Sequence, residues 1–425
     1  MKCTIPYGAE TLSFEIPDKN FHQLLTPSDT PACANPQEEI RRAIEQPIGS
    51  PALSQIVHTD SRVNILCDDI TRPTPVSTIL PVLIDAILET GVQEENIKII
   101  MALGSHRYMT RDELEERVGP EIYHRFQVYN SEYKNKEDLV LVGRSADGTD
   151  IWASKVAMDS DVRIGVGNIV PHPSLGWGGG AKILYPGIAG EDTVTRFHLE
   201  DVFIPGNRFG KVDNPVRELI EGWADTIGLH FIVNTILNKD FKIYRVVAGH
   251  YKHAHRQGVE YAKEVFGCRM RSLADAVIVS SHPADADYWQ SGKAITASEN
   301  AICKAGTVVH VSPNYEGVGP HKERLTYACM ENPQQMLKKV LDGEINVDDV
   351  MSLSAGVTTK QRAERVRLIT VTDGMNREMM GEFAERFTRV FPSSALQQVI
   401  DDLIRERPDI KIAVITHGAE IVPYI

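Results

Sequence analysis

The chain predicts an α/β fold of two domains, each a mainly parallel sheet covered by helices on both faces. Three observations lead there. The strand-like runs are continuously apolar instead of alternating, as in sheets buried on both sides. They alternate with helical stretches, and four of them end in polar clusters rich in histidine or a cation. The length of 425 residues exceeds what a single hydrophobic core usually serves.

Val63-Asn64-Ile65-Leu66-Cys67 is the first buried strand. A helix over Val76 to Glu89 follows, stopped near Gly91, and then a strand over Ile97 to Leu103. Further strands are expected at Val162–Val166, Phe241–Val247, Ala276–Val279, Thr307–Val311, Leu368–Val371 and Lys411–Ile415. The helix over Tyr251 to Phe266 and the following Cys268-Arg269-Met270-Arg271-Ser272 suggest a boundary, giving domains of residues 1–270 and 271–425. No internal repeat or low-complexity linker interrupts the chain.

Apolar residues make up 42% and charged residues 24%, the composition of a soluble globular protein. The net charge of −13 disfavours nucleic acid or an anionic membrane as a partner. The six cysteines are scattered without CxxC spacing, which fits reduced thiols in the cytoplasm and neither a disulfide framework nor a thiolate zinc site. No apolar run has the length of a signal peptide core or a membrane span.

In open α/β sheets ligands sit beyond the carboxyl ends of the strands. Asp68-Asp69-Ile70-Thr71-Arg72-Pro73, Gly104-Ser105-His106-Arg107, Asn168 to Lys182 and Ser280 to Lys293 all fall at such ends, which suggests one shared site. Gly176, Gly178, Gly179 and Gly180 let the backbone approach a phosphate closely, with Lys182 at the end of the loop. The loop is no Walker A motif, since Ala181 replaces the second glycine and Ile183 the magnesium-binding hydroxyl. A dinucleotide fingerprint after the first strand is also missing. His106, His172 and His198 each lie in or just after a strand-end loop, without HExxH spacing. Arg72 is suited to clamping a carboxylate or phosphate. Gln290 and Lys293 share a helix face at i, i+3. Asp69 is equally suited to capping a helix.

Taken together, these motifs resemble the nickel-dependent lactate racemase family, the racemases and epimerases of 2-hydroxyacids. The resemblance rests on Asp69-Ile70-Thr71-Arg72-Pro73, Gly104 to Arg107, His172 through Gly187, His198, and Gln290 with Lys293, in that order. It implies two α/β domains with the active site in the cleft between them, and an isomerase inverting C2 by hydride transfer through a 2-ketoacid. The implied cofactor is a nickel pincer nucleotide, Ni(II)-pyridinium-3,5-bisthiocarboxylic acid mononucleotide, attached covalently at Lys182 and supplied by cofactor-assembly enzymes. His198 would ligate the nickel, while Asp69, Ile70, Thr71, Arg72, Gly178, Gly179 and Gly180 would hold the cofactor. The resemblance further implies His106 and His172 as the acid/base pair, and Arg72, Gln290 and Lys293 as substrate contacts.

His282, Asp285 and Asp287 precede that helix and are placed to meet extra substrate hydroxyls, so a sugar acid suits the chain as well as lactate. Two other readings use the same residues. One is a zinc hydrolase with His106, His172 and His198 as ligands. The other is a cofactor-binding protein without turnover.

Overall fold

The computed structural model describes residues 1–104, 106–144, 148, 150–204 and 206–425, excluding the side chains of Glu200 and Asp201. Ser105 of the second strand-end loop thus lies outside the described residues.

The chain forms two compact units. Asp29–Phe197 and Lys211–Val265 make the first; Met1–Ser28, His198–Gly210 and Phe266–Ile425 make the second. The linear division at residue 270 falls close to the start of the segment Phe266–Ile425, to which Met1–Ser28 and His198–Gly210 are added. The reason lies in β1 (Phe21–Leu25), which pairs in parallel with a strand near the other end of the chain, Leu25 opposite Ile415. An amino-terminal hairpin, Lys2–Tyr7 with Glu10–Glu15, buries Ile5 and Phe14 in the same core as Ile278 and Val309.

In the first unit β2 (Val63–Asp68), β3 (Ile97–Ala102), β4 (Gln127–Asn130), β5 (Val162–Asn168), β6 (Phe231–Leu237) and β7 (Ile243–Gly249) form one sheet. Its order is β7-β6-β5-β2-β3-β4, parallel except for the edge strand β7. All seven residues of β5 and all seven of β6 are buried, as expected where helices cover both faces. The helix Val76–Leu88 packs Ile79, Leu83 and Ile87 against Ile65, Ile99 and Ile164. Each such side chain contributes about 1.5–3 kcal/mol through burial.

In the second unit β8 (Ala274–Ser280), β9 (Ile302–Val311), β10 (Arg367–Val371), β11 (Thr388–Phe391) and β12 (Ile412–Ile415) join β1. The order is β11-β10-β9-β8-β12-β1, parallel throughout. Strand order reverses between β2 and β5 in the first sheet and between β8 and β12 in the second. Such reversal points open crevices at the carboxyl ends of the strands.

Candidate active site

The reversal point of the first sheet is flanked by the loops that follow β2 and β5, and the loop after β3 lies one strand away. The loop after β2 carries Asp69, which is almost completely buried. Its Oδ2 lies 2.6 Å from His106 Nδ1. Its Oδ1 accepts the Thr71 hydroxyl at 2.5 Å and the Thr71 amide at 3.2 Å. Burial alone would raise this carboxyl, but the hydrogen bonds from His106 and Thr71 and the charge of Arg72 hold it below the usual carboxylate range. Asp69 therefore stays ionised and fixes His106 with its proton on Nδ1, leaving Nε2 as the acceptor. Asp69 caps no helix: the next one starts at Val76. Both of its oxygens meet Thr71 or His106.

This loop is stiffened from below by Arg117, on the helix Arg111–Val118. Its guanidinium pairs with Asp68 Oδ1 at 2.6 Å and donates to the carbonyls of Asp68, Arg72 and Thr74. Arg72 itself is half-buried, and its guanidinium donates no hydrogen bond among the described residues. Ile70 is exposed at the tip of the turn.

The loop after β5 makes a small hairpin, pairing Pro171 with Trp177 and His172 with Gly176. The amides of Ser174 and Leu175 both donate to His172 Nδ1 at 3.2 Å. That arrangement puts the proton of a neutral His172 on Nε2, the opposite tautomer to His106.

The glycines that follow are held closely by the rest of the unit. Gly178 N–H donates to Val170 O at 2.7 Å and Gly180 N–H to Asn234 Oδ1 at 2.8 Å. Those two amides are spent inside the protein and cannot cradle a phosphate. The carbonyls are taken up as well: Gly178 O meets His255 Nε2 at 2.9 Å, and Arg217 donates to Gly179 O at 3.1 Å and to Trp177 O. Glycine is required because the chain runs this close to its neighbours. At Gly180, with φ of +62°, a Cβ would sit 3.0 Å from the His255 ring. Burial pushes the Arg217 guanidinium down to about 9, opposed by nearby Glu221, and drives His255 well below the ordinary histidine value. This clamped loop delivers Lys182 from a short helical turn, Gly180–Ile183, with its side chain half-buried. The Gly104 amide donates to Gly187 O at 2.7 Å, tying the His106 loop to the Lys182 loop.

The remaining expected residues belong to the second unit. His198 is half-buried on the helix Glu191–Asp201. Gln290 and Lys293 lie on the helix Tyr288–Ser298, whose amino end is capped by Asp287 through the amides of Trp289 and Gln290. Asp287 thus caps this helix through Oδ1. Among the described residues no three histidine, cysteine or acidic side chains gather as metal ligands, which leaves the three-histidine zinc reading without a site.

The model of the lactate racemase N-terminal domain matches residues 7–210, and that of the lactate racemase C-terminal domain matches residues 270–422. A lactate racemase from Thermoanaerobacterium thermosaccharolyticum is 30% identical over 79% of this chain and 80% of its own length.

The chain belongs to the lactate racemase family.

A lactate racemase from Lactiplantibacillus plantarum is 28% identical over 80% of this chain and 81% of its own. The solved lactate racemase apoprotein from Thermoanaerobacterium thermosaccharolyticum superposes with a TM-score of 0.86 at 27% identity, covering 100% of both chains. A protein from Thermotoga maritima, with a TM-score of 0.65 and 20% identity over 91% of this chain and 97% of its own, shares the fold. As a member of this family the protein is an enzyme, an isomerase of the racemase type, which overturns the reading without turnover.

Sequence reasoning missed the supporting groups Arg117, Arg217, Asn234 and His255. Nothing in their local sequence marks them, because each acts on a loop distant in the chain.

Proposed function

We propose that the protein is a nickel-dependent racemase or epimerase that inverts C2 of a 2-hydroxyacid, a lactate-like or sugar acid, through a 2-ketoacid. One observation carries this reading: two histidines on loops at one sheet edge are fixed in opposite tautomers, His106 by Asp69 and His172 by two amides. Inversion at a hydroxyl-bearing carbon needs one group to take the hydroxyl proton and another to return it.

The residues present suit a nickel pincer nucleotide. Lys182 offers an amine on a rigidly clamped turn for covalent attachment. Arg72 offers a guanidinium that donates no hydrogen bond among the described residues, matched to a phosphate. His198 offers an imidazole, a suitable donor for square-planar Ni(II). When bound, the pyridinium group would accept hydride from C2 and return it.

The chain's own groups do the rest. His106 takes the hydroxyl proton at Nε2 while Asp69 stabilises the resulting imidazolium. His172 returns a proton to the substrate oxygen from Nε2 as an imidazolium, for which Nδ1 is first protonated and released from the Ser174 and Leu175 amides, and His106 gives up its extra proton to solvent between turnovers. Lys293 and Gln290 hold the carboxylate, so that only the carbonyl turns over. All six thiols are unpaired and no helix among the described residues is long and apolar enough to cross a membrane, in keeping with work in the cytoplasm beside the cofactor-assembly enzymes.

Protein produced together with those assembly enzymes should carry about one nickel per chain if each site fills. The peptide containing Lys182 should show a cofactor-sized mass increase. Loaded protein with neither property contradicts the proposal.

A further inference from the structure

The second sheet has its own reversal point, between β8 and β12, and the loops leaving these strands carry a polar cluster that the reaction above does not use. The loop after β8 brings His282 and Asp285 and leads into the helix bearing Lys293. The loop after β12 brings His417 and Glu420. The two loops are joined: Gly418 N–H donates to Ser280 O at 2.8 Å, and the rings of His282 and His417 meet edge-on with centroids 5.1 Å apart.

Most polar atoms in this cluster are committed. Asp285 Oδ2 accepts the Gly8 amide at 3.2 Å and lies 3.4 Å from His282 Nδ1, so it orients the ring. The Thr416 hydroxyl pairs with His417 Nδ1 at 2.8 Å. Glu420 is different. Its carboxyl has His282 and Lys293 as charged neighbours, yet makes no hydrogen bond among the described residues. Its enclosure pushes it up to about 7, against the lowering effect of His282 and Lys293. A hemmed-in carboxyl without a hydrogen-bond partner among the described residues is suited to taking one from a ligand.

We propose that Glu420 and His282 bind hydroxyl groups on C3 and beyond, so that this enzyme prefers polyhydroxylated 2-hydroxyacids over lactate. The inference rests on the reading of Lys293 as the carboxylate anchor, which places the substrate's far end against the neighbours of Lys293. A site built to bond a hydroxyl discriminates strongly against the analogue that lacks it.

Lactate, glycerate and erythronate form a test series with none, one and two further hydroxyls. With nickel-loaded protein, kcat/KM should rise along the series by about tenfold or more overall. Glu420→Leu should lower the erythronate-to-lactate ratio of kcat/KM by a similar factor, mainly through KM. His282→Gln, a milder change, should lower it in the same direction if Glu420→Leu fails to fold. Calorimetric binding of erythronate to unloaded protein gives a second readout. Erythronate binding that weakens in both variants supports the proposal even where no acid is racemised, an outcome that would instead sink the racemase reading. A preference for lactate, or a ratio and binding unchanged in both variants, overturns it.

Discussion

Asp69 decides what His106 can do. With an ionised carboxylate at 2.6 Å, the imidazole keeps its proton on Nδ1 and can accept another at Nε2. Asp69→Asn removes the charge and permits the wrong tautomer, so kcat should fall about 10²–10⁴-fold with nickel content unchanged. The same carboxyl is held below its ordinary value in the folded protein. It therefore contributes stability that is present above pH about 3.9 and is lost as pH falls through the lower folded value. In an acid titration of unfolding free energy, Asp69→Asn should be less stable near neutrality and show a shallower loss of stability below that pH. His106→Ala and His172→Ala should each abolish steady-state racemisation while keeping nickel, and His198→Ala should lower nickel retention. The sequence made the histidines and Lys182 visible, since their residue types announce chemistry. Asp69 was visible as a candidate, but its pairing with His106 was not, and Glu420 stayed hidden, because these partners come together only in the fold.

At the scale of elements, buried arginines fix the two loops of the candidate site. Arg117 holds the loop after β2 by three carbonyls, and Arg217 holds the loop after β5 by two. Arg217→Met should cost several kcal/mol, since each buried carbonyl left without a donor costs about 1–3 kcal/mol. It should also lower covalent loading at Lys182, measured as the fraction of modified peptide. Gly180→Ala forces a Cβ against His255 at a positive φ and should reduce loading in the same way. The elements legible in the sequence were those with unbroken apolar runs, such as β2, β3 and β8. β6 escaped notice because Asn234 and Thr235 interrupt its pattern, although Asn234 is there to receive the Gly180 amide. The strand expected from Phe241 begins instead at Ile243, because Phe241 takes a positive φ in the preceding turn.

At the scale of the whole molecule, the alternation of strands and helices correctly announced two parallel α/β sheets. The division of the chain between them was not legible, because β1 reaches its sheet only through pairing with β12, and no local signal marks that pairing. Both sheets place a reversal point under polar loops. In the first these carry Asp69 and His172, with His106 one strand away, and in the second His282, Lys293 and Glu420. The central claim is inversion at C2 by hydride transfer, with the two histidines moving only the hydroxyl proton. The most direct measurement follows the label in 2-deuterated lactate and glycerate during interconversion by nickel-loaded protein in ordinary water. Interconversion with deuterium retained at C2 is the predicted result. Washout of the label into solvent, or no interconversion of either acid, would contradict the account.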